Sequence, residues 1–173
     1  PWRTVSGYDS APKPVGRVRR TELHMQILVD ADSCPRRLRS IIRKAAERTR
    51  TPTIFVSDRK LSDAKGSSVE NVLVEHGSGD VDDYIAEHAE PGDLVFTHDV
   101  PLAARVVERG AVAIDDRGNV YNEENIRERL SLRDAMMELR EAGVTPAGGN
   151  TLGEREVRLF AGAFDRELTK LQR

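Results

Sequence analysis

Short apolar runs alternate with segments of helical spacing from residue 26 onward. Residues 26–31 (QILVDA), 53–57 (TIFVS), 71–75 (NVLVE), 93–97 (DLVFT) and 111–114 (AVAI) have the length and apolar content of buried strands. Between them, 36–50 places Leu38, Ile41, Ile42 and Ala45 on one helical face, and Pro35 suits the first turn. Residues 81–89 and 101–109 read as shorter helices, the first capped by Asp80 and the second ended by Gly110. Residues 122–142 and 154–171 read as two more helices, joined by the glycine-rich connector 143–153. Residues 58–70 are polar and read as a loop. Buried strands alternating with helices predict one three-layer α/β domain over residues 25–173, with a mainly parallel five-stranded sheet and C-terminal helices. The first 24 residues carry three prolines and neither period, and are expected to form a disordered arm or an upstream extension.

Composition changes that picture little. The chain has 173 residues, 38% hydrophobic and 32% charged, with no apolar run of membrane-spanning length. A single cysteine, Cys34, excludes an internal disulfide and fits a cytoplasmic location. Charge is uneven. Residues 1–24 hold five basic and two acidic side chains, a net of +3, which leaves −5 of the overall −2 on the remaining 149. An acidic body argues against strong sequence-blind nucleic-acid binding, although a local basic patch could serve.

The acids fall where ligands bind in such sheets, outside the carboxyl ends of the strands. Asp30 and Asp32 end the first run, Asp58 follows the second, Asp80, Asp82 and Asp83 the third, Asp99 the fourth, and Asp115 and Asp116 the fifth. Aspartate also favours caps and turns, which accounts for Asp58 and Asp80. The joint pattern says more. Carboxylates meeting in one crevice repel unless a cation offsets them, and Mg2+ or Mn2+ takes oxygen ligands. If the chain stays extended through residue 32, Asp30 and Asp32 share a face. Arg36 and Arg37 stand beside this cluster and could hold a phosphate, with Arg59, Lys60 and Arg105 extending the path. Arg43 and Arg50 read as ordinary solvated charge. Cys34 lacks the arginine six positions on that a cysteine phosphatase needs, since position 40 is Ser40. It reads as a buried, inert thiol. His24, His76, His88 and His98 show no zinc spacing with it, and His98 reads as a spectator.

Three segments, VDADSCP (29–35), DDYIAEHAEPGDLVFTHDVPLAARVVERGA (82–111) and ERLSLRDAMMELR (128–140), closely resemble the bacterial YaiI/YqxD family over nearly all of 25–173. That family has no assigned activity, and its fold is similar to PIN domains, metal-dependent nucleases acting mostly on RNA. The resemblance implies a PIN-like fold. It places Asp30 as the first-strand acid, Asp99 as the acid of a T-x-D segment, Asp83 as the mid-chain acid and Asp115 as the last. The mid-chain acid of PIN nucleases is usually glutamate, and relatives tend to read NPRG where this chain reads DDRG (115–118). Arg133 lies in the third matching segment.

The leading expectation is a Mg2+- or Mn2+-dependent ribonuclease-like hydrolase. Asp30, Asp83 and Asp99 would be catalytic, and Asp30, Asp32, Asp83, Asp99 and Asp115 would hold metal. Arg36, Arg37, Lys60, Arg105 and Arg133 would contact substrate. One alternative is a haloacid-dehalogenase-type phosphohydrolase, with Asp30 as nucleophile, Asp32 as acid/base and Ser57 ending its second motif. The other is a non-catalytic nucleic-acid binder. The C-terminal helices permit a homodimer.

Overall fold

The computed structural model describes residues 2–5, 25–63, 65–74, 81–144 and 152–173. Strand β1 (Trp2–Val5) is followed by β2 (Ile27–Asp30), helix α1 (Arg36–Thr49), β3 (Thr53–Ser57), β4 (Val69–Val74) and α2 (Val81–His88). Then come β5 (Leu94–Phe96), α3 (Val100–Glu108), β6 (Val112–Ile114), β7 (Val120–Tyr121), α4 (Ile126–Glu141) and α5 (Glu154–Leu171). The seven strands form one mixed sheet of order β1-β4-β3-β2-β5-β6-β7, parallel throughout except for the antiparallel β6–β7 pair.

The five strands read from the sequence are thus the interior of a seven-stranded sheet. The expectation of five strands fails at both edges. β7 is a two-residue return strand within a polar stretch. β1 lies in the segment read as a disordered arm, and its four residues pair with β4 from Trp2↔Asn71 to Val5↔Val74. Residues 6–24, with His24, lie outside the described residues, as do His76, Asp80 and positions 145–151 of the connector.

Alternation along β2 builds two cores. Ile27 and Val29 face α1 and α5, meeting Leu38, Ile42, Phe160 and Phe164. Leu28 faces the other side with Val56, Val72 and Val95, under Ile85 of α2 and Leu102 and Val106 of α3. The last helix is therefore a full member of the core, with Phe160 edge-on to Phe96 and stacked on Phe164. Helix α4 is different: among its residues only Ile126 is buried. No described helix is long and apolar enough to cross a membrane.

Candidate active site

β2 is the centre of the sheet. From it the chain winds outward to β3 and β4 on one side, then returns to β5 and β6 on the other. The β2–β5 boundary is therefore the topological switch point, where open α/β sheets form their ligand crevice. Asp30 ends β2 at that boundary, 6% exposed. The Ser33 hydroxyl donates to its Oδ2 at 2.6 Å and the Ser33 N–H to its Oδ1 at 3.3 Å. From the end of β5, buried Thr97 donates to Oδ2 at 3.4 Å, and the same Thr97 oxygen accepts the Asp99 N–H at 3.0 Å. Thr97 thus links the two strand ends across the switch point. Asp99 occupies the N-cap position of α3 but makes no side-chain capping bond. Among the described residues its carboxylate has no hydrogen-bond or ion-pair partner.

Asp32 goes elsewhere. The β2 ladder stops at Asp30, and residues 31–33 turn, so the shared face expected from strand alternation does not form. Asp32 Oδ2 accepts the Asp58 N–H at 2.7 Å, beyond the end of β3. Among the described residues its Oδ1 receives no hydrogen bond, and Arg59 Nε stands 3.5 Å away. Burial pushes the Asp32 carboxyl above its ordinary range. The Asp58 N–H opposes that rise, the Asp58 carboxylate adds to it, and Arg59 opposes it more weakly.

The other expected ligands are spread out. Asp83, in the first turn of α2, pairs with Arg105 of α3 at 2.8 Å, both exposed. Asp115 is buried and organises the β6–β7 turn. Its Oδ1 accepts the N–H groups of Arg117 and Asn119, and its Oδ2 accepts Asn119 Nδ2 and the Tyr121 hydroxyl, all within 2.8–2.9 Å. Four donors fill the lone-pair sites of a carboxylate. Burial, then the Asp115 charge, drive the Tyr121 phenol far above its ordinary value. Among the described residues no three Asp, Glu, His or Cys side chains are grouped so as to hold a metal ion.

The expected phosphate binders are largely engaged. Arg36 lies 3.4 Å from Asp63, and Arg37 pairs with Glu154 of α5. Lys60 is exposed in the loop after β3, and Arg133 pairs with its neighbour Asp134 on exposed α4. Arg39, which sequence reading did not single out as a site residue, is buried. It donates to the Ala31 and Cys34 carbonyls and to Asp63, pinning the loop that carries Asp32 and Ser33. Asp63 stays below the usual carboxylate range: burial pushes it up, and the Arg39 hydrogen bond and charge more than offset that. Cys34 is buried, its thiol raised first by burial, lowered by Arg39 and raised again by Asp30, Asp116 and Asp63. Sequence reading also missed Ser33 and Thr97 as partners of Asp30, and the pairing of His98 with Asp116 at 3.2 Å. The available signal was position: a hydroxyl residue three after Asp30 in a turn, and another directly after an apolar strand.

Residues 28–170 match the family described as "Uncharacterized BCR, YaiI/YqxD family". A UPF0178 protein of Geobacter metallireducens is 48% identical over 149 residues, covering 86% of this chain and 96% of the relative. A UPF0178 protein of Syntrophobacter fumaroxidans is 47% identical over 146 residues, covering 84% and 95%. One of Myxococcus xanthus is 48% identical over 147 residues, covering 85% and 96%. No solved structure matches.

Proposed function

The chain belongs to the YaiI/YqxD family, and from that membership and the crevice beside Asp30 we propose a divalent-metal-dependent hydrolase of RNA phosphodiesters. The family's description names no activity, so the reading draws on the crevice and on the resemblance to PIN nucleases. The observation that carries it is the pairing at the switch point. A buried carboxylate, Asp30, is held by two hydroxyls, and Thr97 ties it to Asp99, whose carboxylate is uncommitted at a helix start that it could have capped.

The donors fit a hard cation, because every candidate atom is oxygen: two carboxylates with Ser33 and Thr97 beside them. A larger protein cage is not needed. Mg2+ usually keeps several waters and is held by one or two carboxylates plus substrate phosphate. Asp30 and Asp99 would hold Mg2+ or Mn2+. When bound, such an ion stabilises charge on a phosphoryl oxygen and lowers the pKa of a coordinated water. Ser33 and Thr97 fix the orientation of Asp30. Arg36, which starts α1 and is exposed beyond its pairing with Asp63, and Lys60, in the loop after β3, would meet phosphate charge. Water would add to phosphorus as the bond to the leaving ribose oxygen breaks, with one water proton passing to solvent and one taken up by the leaving oxygen. Asp83 and Asp115 are not needed, since one sits in an exposed ion pair and the other is saturated.

The dehalogenase-type alternative draws less support. Asp32 is turned to the Asp58 backbone, and the buried Ser57 hydroxyl donates to the Arg59 carbonyl at 2.6 Å.

The test is cleavage of labelled single-stranded RNA by the whole chain with Mn2+, Mg2+ or chelator. Asp30→Asn and Asp99→Asn should each lose about a hundredfold or more of the rate. Asp83→Asn should cleave as the parent does. No cleavage with either metal, or full activity in Asp99→Asn, would sink the proposal.

A further inference from the structure

Helix α5 turns Val157, Phe160, Ala163, Phe164 and Leu168 into the core. The opposite line of the helix reads Arg155, Arg158, Arg166 and Lys170, with Arg173 just beyond its end. At about 100° per residue these five fall on one face, and all are exposed. The helix's acids lie off that line, and most are occupied. Glu154 pairs with Arg37 and Asp165 with Arg48, both on α1, while Glu156 accepts the Gly153 N–H at 3.1 Å. Glu167 approaches the line, 3.7 Å from Lys170, and Asp165 flanks it while paired with Arg48. Among the described residues Arg155, Arg158, Arg166 and Arg173 enter no ion pair. At the end of the helix Arg166, Thr169, Lys170 and Arg173, with Asp165, line a groove of about 300 Å3.

We propose that this ridge of α5 is a nucleic-acid backbone-binding surface, separate from the switch-point crevice. A ridge of 18 residues runs about 27 Å, enough to follow several phosphates. Four of the five cations are arginine, whose planar fork suits bidentate phosphate contacts. Helix α1 is also rich in arginine, and it is a poorer candidate. It has Arg36, Arg37, Arg39 and Arg48 engaged with Asp63, Glu154, Asp63 and Asp165. An anionic membrane is also disfavoured. Lying in an interface requires an apolar face to insert, and that of α5 is already buried, leaving Leu159 as its exposed large hydrophobic residue. The Arg37–Glu154 pair sets the start of α5 beside the first turn of α1, directly after the Asp30–Pro35 loop. A strand passing from Asp30 along the first turn of α1 would reach the ridge at Arg155. Choosing RNA over DNA rests on the reading of the crevice; binding itself does not.

The experiment measures anisotropy of a labelled oligouridine with the full chain in chelator, where cleavage is suppressed. Contacts to three or four phosphates predict a log–log salt slope of about −2 to −3. The triple variant Arg158→Glu/Arg166→Glu/Arg173→Glu should bind at least tenfold more weakly with a flatter slope. The glutamine triple should move the same way by less. Arg127→Glu/Arg140→Glu on exposed α4 should stay within twofold of the parent. Circular dichroism checks that each variant is folded. Unchanged binding by the ridge variant, or equal loss in the α4 control, overturns the proposal. So does ridge-dependent binding to phosphatidylserine vesicles without binding to oligouridine. Failure to cleave RNA in metal would remove the hydrolase and leave this result standing, while loss of the ridge with cleavage intact would do the reverse.

Discussion

Two aspartates two positions apart take different parts because the backbone changes between them. Asp30 is the last residue of the β2 ladder, opposite Val56, and the Ala31 N–H makes the final strand-like bond to the Val56 carbonyl. Asp-Ser chemistry then favours a turn, so Asp30 faces the β5 side while Asp32 reaches the Asp58 backbone. The consequence is measurable at Asp32. Its carboxyl is raised above the ordinary value, by burial first, so the native state holds this proton more tightly than the unfolded chain does. Stability then falls as pH rises through the folded pKa. Asp32→Asn keeps an oxygen for the Asp58 N–H and removes the charge. Urea unfolding should find this variant more stable than the parent at about pH 7, with the difference vanishing below about pH 4, where the parent carboxyl is protonated in both states. A variant that is less stable at neutral pH would mean that the Asp32 charge is net favourable where it sits.

At the scale of elements, the periods that could be read were those with a buried face. The interior strands and the five helices lie where apolar spacing put them, give or take a few residues. β7 was hidden because two residues have no period, and β1 because its proline-rich surroundings argue for disorder. Asp115 had the same difficulty: nothing in DDRGNVY says that its carboxylate will be filled by its own turn. That turn also explains Gly118. It sits at φ +82°, and a Cβ there would lie 3.0 Å from the Leu159 carbonyl oxygen and 3.1 Å from Ala163 Cβ on α5. Gly143 has nearly the same φ, +84°, with nothing among the described residues within 4 Å. Left-handed strain alone costs about 1 kcal/mol, which is the expected loss for Gly143→Ala. Gly118→Ala must also push α5 away from the turn, for a total of about 2–4 kcal/mol. Denaturant titration of the two variants tests the contact. Equal losses would show that α5 moves aside at no cost.

At the scale of the whole molecule, the sequence disclosed which strand ends carry acids, but neither which of those acids meet nor which cations would be consumed. Placing Asp30 and Asp99 at one sheet edge needs only strand ends. Knowing that Glu154 and Asp165 neutralise α1 and leave the α5 ridge bare needs the packing of two helices that are distant in sequence. The edge strand raises a similar question of membership. β1 lies outside the family match, which begins at residue 28, and a relative aligned over 149 residues uses 96% of its own length. The family match thus does not include β1, which here covers the β4 edge. Arg3 fastens it, donating to the Tyr84 hydroxyl at 3.1 Å and pairing with Glu70 at 3.3 Å. A single half-buried pair at a sheet edge stabilises modestly, and the ladder is four residues long, so β1 is a cover and not a support. Removing residues 1–24 should leave one cooperative unfolding transition, with Tm lowered by only about 2–5 °C. It should also uncover the β4 edge, a template for pairing between chains. Light scattering behind size exclusion should then show concentration-dependent association that the full chain lacks. A truncated chain that stays monomeric would show that the β4 edge is protected without β1, and one that unfolds would make β1 part of the core.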